Sequence, residues 1–367
     1  MPVHEIKKDI HWVGVVDWNL RNFHGYSLAR RGTTYNAFLA MDEKITLFDT
    51  VAKRFSKEFL HQLRKVVDPE KIDYIVVNHV EPDHSGSLAE VVELVRPEKI
   101  FCSKMGEKAI RSHYHPEDWP LIPVENGQSI TLGKNTVQFL ETRMLHWPDS
   151  MFSYIPEQKL LISSDAFGQN WATSERFDDE VDQDILFREA GAYFANIILP
   201  YSALVKKVLS RVQEAGIAID MIAPDHGLIW RSDIQGILSK YVQWSEQKPA
   251  NKAVIVYDTM WRSTEKMARS LAEGLIREGV DVRIMHLKSC HHSDVMAEIL
   301  DAGAVLVGSP THNNTILPLV AGMLTYMKGL RPQNKIGLAF GSFGWSGESV
   351  KQISGFLEEM EMEVMEP

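Results

Sequence analysis

The sequence predicts an α/β protein in two parts: sheets covered by helices as far as about Trp244, then a doubly wound parallel sheet. Three observations carry this. Apolar runs of strand length recur through the first part, punctuated by Gly, Asn, Asp and Pro. The polar stretch Gln243–Lys252, with Pro249 inside it, reads as a linker. Beyond it strands and helices alternate strictly, which implies parallel pairing with helical crossovers. The domains are accordingly placed at 1–248 and 249–367.

In chain order, the first part offers strand-like runs at Thr34–Leu39, Ile45–Phe48, Tyr74–Val77, Lys99–Cys102, Thr136–Leu140 and Lys159–Ser163. Helical stretches at Ser56–Val67, Ser85–Val95 and Tyr201–Glu214 intervene. The second part reads strand Ala253–Tyr257, helix Thr264–Arg277, strand Val280–His286, helix His292–Leu300 and strand Ala304–Gly308. Helix Leu317–Leu330, strand Lys335–Phe340 and helix Gly347–Met360 follow. A fifth strand would start near Met362, yet the chain stops at Pro367. The expectation is a chain cut short, with its last strand truncated.

Bulk properties narrow the function. The net charge of −10 argues against a nucleic-acid-binding surface. No apolar run reaches the roughly 20 residues that span a membrane. The charged start (Val3-His4-Glu5-Ile6-Lys7-Lys8-Asp9) lacks the apolar core of a signal peptide. Cys102 and Cys290 are the only cysteines, which excludes a disulfide framework and any Cys-x-x-Cys metal site within this chain. A cytoplasmic setting is the expectation.

The densest chemistry is His79-Val80-Glu81-Pro82-Asp83-His84, directly after the run Tyr74–Val77. Alternate residues 79, 81 and 83 can converge where the chain leaves a sheet. Imidazole nitrogen and carboxylate oxygen suit iron, manganese or zinc. His146, Asp165 and His226 each stand at the exit of another apolar run. Taken singly, such a residue is more often a cap or a hydrogen-bonded histidine than a ligand. Together they exceed what one ion of ordinary coordination needs, and an aspartate between clusters, such as Asp165, can bridge two ions. His113 and His115 lie in a polar stretch with no strand leading in, and read as surface residues.

The second part offers a different chemistry. Thr259-Met260-Trp261-Arg262-Ser263-Thr264 follows its first strand and opens a helix. Hydroxyls at 259, 263 and 264 with backbone N–H groups make an anion site without a lysine, and capping by Ser263 or Thr264 is compatible with it. Two more strand-end loops are Pro310-Thr311-His312-Asn313-Asn314 and Ser342-Phe343-Gly344-Trp345-Ser346-Gly347. Their glycines let backbone approach a flat ring, and Trp345 offers a stacking face. No Gly-x-Gly-x-x-Gly lies between strand and helix, so a nicotinamide site is not expected. Gly127–Lys134 has the wrong spacing for a P-loop.

His79-x-Glu81-x-Asp83-His84 with His146, Asp165 and His226 resembles the metallo-β-lactamase-like domain of the flavodiiron proteins, and the three later loops resemble those of flavodoxin. The resemblance covers essentially the whole chain. It implies an N-terminal αββα sandwich and a flavodoxin-like domain that binds FMN. It implies one iron held by His79, Glu81 and His146, the other by Asp83 and His226, and Asp165 between them. Glu81 stands where hydrolases of the wider superfamily carry a second histidine, and a harder oxygen ligand shifts preference from zinc towards iron. His84 is a ligand position in the hydrolases and commonly lies behind the ligands in flavodiiron relatives. The implied activity is reduction of O2 to water or of NO to N2O. Electrons would pass through FMN from a rubredoxin or rubredoxin-like donor, in a head-to-tail homodimer or dimer of dimers. Phe23, His24, Tyr26, Trp147 and Tyr193 are candidates to wall the substrate pocket, with plain core packing as the alternative. Two other functions compete: a dizinc hydrolase with a flavodoxin-like electron-transfer domain, and an electron carrier whose first domain is only a scaffold.

Overall fold

Residues 3–366 are described by a computed structural model. They divide into two compact units: one takes in the chain to Arg21, Ala29–Ala190 and Leu204–Ser239, the other Asn22–Leu28, Gly191–Ala203 and the chain from Lys240.

The first unit is a sandwich of two mixed sheets. The larger orders its strands His4–Lys7, Ile10–Trp12, Phe38–Ala40, Thr46–Phe48, Tyr74–Val77, Lys99–Ser103 and Leu121–Val124. The smaller orders Ser129–Thr131, Thr136–Glu141, Met151–Ile155, Leu160–Ile162 and Met221–Ala223. Side-chain alternation along the strands builds two cores from one sheet. Trp12, Phe38, Phe48, Val76 and Phe101 face Phe139, Met151, Ile162 and Ala223 between the sheets. Leu39, Leu47, Ile75, Val77 and Ile100 face the opposite way, onto Phe59 and Leu63 of helix Ser56–Leu63, Leu88 and Val92 of helix Leu88–Val95, and Ile110 of helix Lys104–Tyr114. Both faces of the central strands are buried, which is why they read as unbroken apolar runs.

Three local expectations change. The run Thr34–Leu39 is two strands in different sheets, Thr33–Tyr35 and Phe38–Ala40. Buried Asn36 breaks it: its side chain accepts from Trp12 Nε1 (2.8 Å) and donates to the carbonyls of Pro224 (2.7 Å) and Gly227 (3.1 Å), while its N–H donates to Asp225 O (2.8 Å). The helix expected at Ser85–Val95 is a short turn of helix, Pro82–Ser85, and then Leu88–Val95. His113 and His115 lie at the C-terminal end of helix Lys104–Tyr114 rather than in a loop, and both are exposed.

The second unit has five parallel strands in the order Asp281–His286, Ala250–Tyr257, Ala302–Gly308, Ile336–Phe340, Glu363–Val364. The expected fifth strand is therefore present, pairing Glu363 and Val364 with Ile336 and Gly337. Ala253, Ile255 and Tyr257 pack on Ala268 and Ala272 of helix Ser263–Arg277. Strand order reverses between Ala250–Tyr257 and Ala302–Gly308, the crevice position at which such sheets bind ligands. The segments that join from the first half are tied in by polar contacts: Leu28 N–H donates to Ser293 Oγ (3.1 Å), and Asn196 links Ser293 O (3.1 Å) to the Tyr326 hydroxyl (2.7 Å). No helix among the described residues is long and apolar enough to cross a membrane.

Candidate metal centre and flavin cleft

The candidate metal-ligating side chains of the first unit converge at one end of its two sheets. His79 and Glu81 follow strand Tyr74–Val77, and Asp83 and His84 lie in the short helix after it. His146 lies between strands Thr136–Glu141 and Met151–Ile155, Asp165 follows Leu160–Ile162, and His226 follows Met221–Ala223. Ligand atoms of His79, Glu81, His146 and Asp165 lie within 4.8 Å of one another, as do those of Asp83, His84 and His226.

Asp165 joins the two groups. Its Oδ2 lies 3.1 Å from His146 Nε2 and 3.4 Å from His79 Nε2, and Glu81 Oε2 is 3.2 Å from His79 Nε2 and 3.1 Å from His146 Nε2. Its Oδ1 lies 3.2 Å from His84 Nε2 and 3.4 Å from His226 Nε2, and Asp83 Oδ2 is 3.3 Å from His226 Nε2. One carboxylate thus turns one oxygen to each group. Both Asp83 oxygens are buried and make no well-aligned hydrogen bond among the described residues. Leaving such groups dry and unsatisfied is costly, and a cation at the second group would satisfy them. The donor set, all imidazole nitrogen and carboxylate oxygen, fits two iron ions.

The backs of the histidines are fixed. His226 Nδ1 donates to Thr34 O at 2.7 Å, which turns Nε2 towards Asp165 and Asp83. His79 Nδ1 lies 2.9 Å from Asp149 Oδ2, which also accepts from Val80 N at 2.7 Å. Burial alone lowers the His79 pKa, but Asp149 and Glu81 outweigh it and hold it well above the ordinary value. Burial likewise opposes a charged His146, yet hydrogen bonds to Asp165 and Glu81 raise it to about 9. Burial would raise Asp165; the charge of His84, then the hydrogen bonds from His146 and His84, hold it well below the carboxylate range. Without metal, protons on His79, His84 and His146 balance the carboxylates.

Three supporting residues were not singled out from the sequence. Asp149 backs His79, as described. Asp49 accepts from Asn78 N and Asn78 Nδ2, both at 2.7 Å, at the root of the His79 segment, and burial pushes its pKa up to about 6. Asp225 Oδ2 lies 3.6 Å from His84 Nδ1. Asp49 ends the run Ile45–Phe48, so the strand-exit signal that marked Asp165 was present for it too. Trp147 meets His79 edge-on, ring centroids 5.2 Å apart. Tyr35 meets His226 the same way at 5.7 Å and was not anticipated. Phe23, His24, Tyr26 and Tyr193 belong to the second unit, where the Phe23 ring lies tilted against His24 (centroids 4.1 Å apart) and Tyr193 (6.2 Å) and Tyr26 lies 6.0 Å from His24.

In the second unit the three loops line one cleft of about 390 Å³, within the range of small-molecule sites. Thr259, Met260, Trp261, Ser263, Pro310, Thr311, His312, Asn313, Asn314, Ser342, Phe343, Gly344 and Trp345 all reach it. Ser346 lines it too, whereas Thr264 is buried behind, 3.2 Å from Ser342 Oγ, and Gly347 caps the last helix. Thr259 Oγ1 is buried without a hydrogen-bond partner among the described residues, as a phosphate-binding hydroxyl would be before its ligand arrives. A Cβ on Gly341 would lie 2.1 Å from Ser309 O, so the backbones of two lining loops touch there. Trp261 and Trp345 are 86% and 90% exposed, which makes their faces available for stacking. Size, neutral hydroxyls and flat apolar faces fit FMN.

Comparison with known proteins accords with the two-part fold. A family model described as "ODP family beta lactamase" matches residues 33–227, and one described as "Flavodoxin" matches 255–367. Over 98% of its length the chain is 55% identical to the rubredoxin-oxygen oxidoreductase of Megalodesulfovibrio gigas, covering 90% of that protein. It is 48% identical to the nitric oxide reductase of Moorella thermoacetica, covering 98% of this chain and 90% of that protein. The crystal structure of the flavodiiron protein from Giardia intestinalis superposes with a TM-score of 0.96 at 34% identity, over 100% of this chain and 90% of the other. A β-lactamase-like sandwich carrying paired His and carboxylate clusters, joined to a flavodoxin-like sheet with its cleft, places this chain in the flavodiiron protein family.

Proposed function

We propose that this chain is a flavodiiron oxidoreductase that reduces O2 to water, NO to N2O, or both, with electrons reaching a non-haem diiron centre through FMN from a rubredoxin-type donor. The observation that carries the reading is Asp165, whose two oxygens face two separate groups of ligand atoms. His79, Glu81 and His146 would hold one iron and Asp83 and His226 the other, with Asp165 between; His84 faces the second group. Two irons held by these residues would supply the redox-active positions for a diatomic substrate. The protein's part is to hold them. Asp149 and Thr34 O orient His79 and His226, and Trp147 closes one side over His79. FMN would place its phosphate at Thr259 and Ser263, with Thr264 behind them on Ser342, and its ring against the loops at 310–314 and 342–346. We assign the iron to residues 1–248 and the flavin to 249–367, and infer a head-to-tail homodimer or dimer of dimers, which light scattering would test.

The decisive experiment follows O2 and NO consumption by anaerobic, pre-reduced protein containing both FMN and iron. Consumption of either gas, lost in Glu81→Ala and Asp165→Ala together with iron while FMN stays bound, is the expected result. Zinc in place of iron with neither gas consumed would favour the dizinc hydrolase. Turnover that survives in iron-free variants would overturn the diiron reading.

A further inference from the structure

The phosphate loop of the flavin cleft carries an electrostatic problem. Asp258, buried at 3% exposure, directly precedes Thr259 and accepts from its N–H at 2.7 Å. The first amide of the loop is therefore spent on a carboxylate, and a fixed negative charge stands beside the place where a phosphate must sit. None of the lining hydroxyls can offset it.

Two groups from the neighbouring strand and the turn after it reach Asp258. Lys288 Nζ lies 3.4 Å from Asp258 Oδ1 and donates to the Thr259 carbonyl at 3.1 Å. His286 Nε2 lies 3.3 Å from the same Oδ1, with its ring stacked on Tyr257 at 5.0 Å. The pairing of Tyr257 with His286 and the bond from Leu287 N to Tyr257 O (3.0 Å) hold this segment in register with the loop. Lys288 thus grips the loop at both ends of one residue: the carboxylate that takes the Thr259 N–H, and the Thr259 carbonyl itself.

We propose that Lys288 is a positioning residue for the flavin phosphate: its charge cancels that of Asp258, so that the hydroxyls and amides of the loop, whose Arg262 is paired with Glu265, can hold a phosphate dianion. Lys288 lines no part of the cleft; it acts through Asp258 and the Thr259 backbone. Coulomb repulsion between phosphate and an uncompensated Asp258 falls on binding affinity. Because the Lys288 side chain is half exposed, solvent screens part of the effect. The inference rests on FMN as the ligand of the cleft.

The test is a double-mutant cycle on the full chain, stripped of FMN with its metal left in place, with FMN affinity read by quenching of flavin fluorescence. Lys288→Met should weaken FMN binding about fivefold. Lys288→Arg should keep most of the affinity. Asp258→Asn, which keeps an acceptor for the Thr259 N–H but removes the charge, should bind FMN at least as tightly as the parent. Lys288→Met combined with Asp258→Asn removes both charges, so affinity should return to near that of the parent. Unchanged affinity in Lys288→Met, or a double variant that binds as weakly as Lys288→Met alone, would overturn the proposal; the latter would mean that Lys288 serves only as a hydrogen bond to the loop. Failure of the unsubstituted protein to bind FMN would overturn the assignment of the cleft as well.

Discussion

At the scale of single residues, the strongest leverage lies one bond behind the candidate ligands. Asp149 orients His79 through Nδ1 and is itself held by the Val80 N–H. Partners of this kind are worth roughly 10–100-fold in metal affinity. Asp149→Ala should therefore lower iron affinity by about that factor, read as iron retained against a chelator, and leave FMN binding unchanged. Iron retention equal to the parent protein would remove Asp149 from the site. Asp149, Asp49 and Asp225 carry the same residue type as Asp165, and Asp225 stands next to His226 in the sequence. What separates ligand from support is which way each carboxylate faces, and spacing along the chain does not record that.

Among elements, the break at Asn36 matters most. An uninterrupted apolar run predicts one strand, yet the chain must leave one sheet and enter another within two residues. Asn36 stabilises the crossing with hydrogen bonds to Trp12, Pro224 and Gly227, and its N–H reaches Asp225, next to His226. Asn36→Ala would leave several buried groups unpaired and should cost about 2–4 kcal/mol, measured by urea unfolding. Iron content should fall with it, because the same contacts set the His226 loop. In the flavin cleft, Gly341→Ala forces a Cβ into the Ser309 carbonyl, so two strand-end loops must separate. Weakened FMN binding with iron retained is the expected outcome, and FMN titration beside metal analysis reads both.

For the whole molecule, metal and protons compete for the same nitrogens. Without metal, burial opposes a charged His146, but hydrogen bonds to Asp165 and Glu81 push its pKa up from 6.5 to about 9. A folded-state pKa raised in this way adds stability that is complete below about pH 6.5 and is lost as pH rises through about 9. The chelated protein should therefore melt at progressively lower temperature across that window. The iron-loaded protein, with the nitrogen already occupied, should lack this loss, and metal uptake near neutral pH should release protons into a weak buffer. Thermal melts of both forms across pH 6 to 10 check the first point, and a pH indicator during reconstitution checks the second. Much of this molecule is decided locally. Alternating apolar runs and helix-length stretches specify the order of elements, because burial of both faces of a central strand and one face of a helix imposes its period on the sequence. The His-x-Glu-x-Asp-His cluster and the three strand-end loops are legible for the same reason: each is contiguous. The tertiary structure alone decides that Asp165 turns one oxygen to each group, that Asp149 backs His79, that Asn36 divides an apolar run between sheets, and that Lys288 meets Asp258 across paired strands. These depend on which distant segments the folded sheets bring within hydrogen-bond reach, and the orientation of a side chain at such a meeting leaves no trace in its spacing.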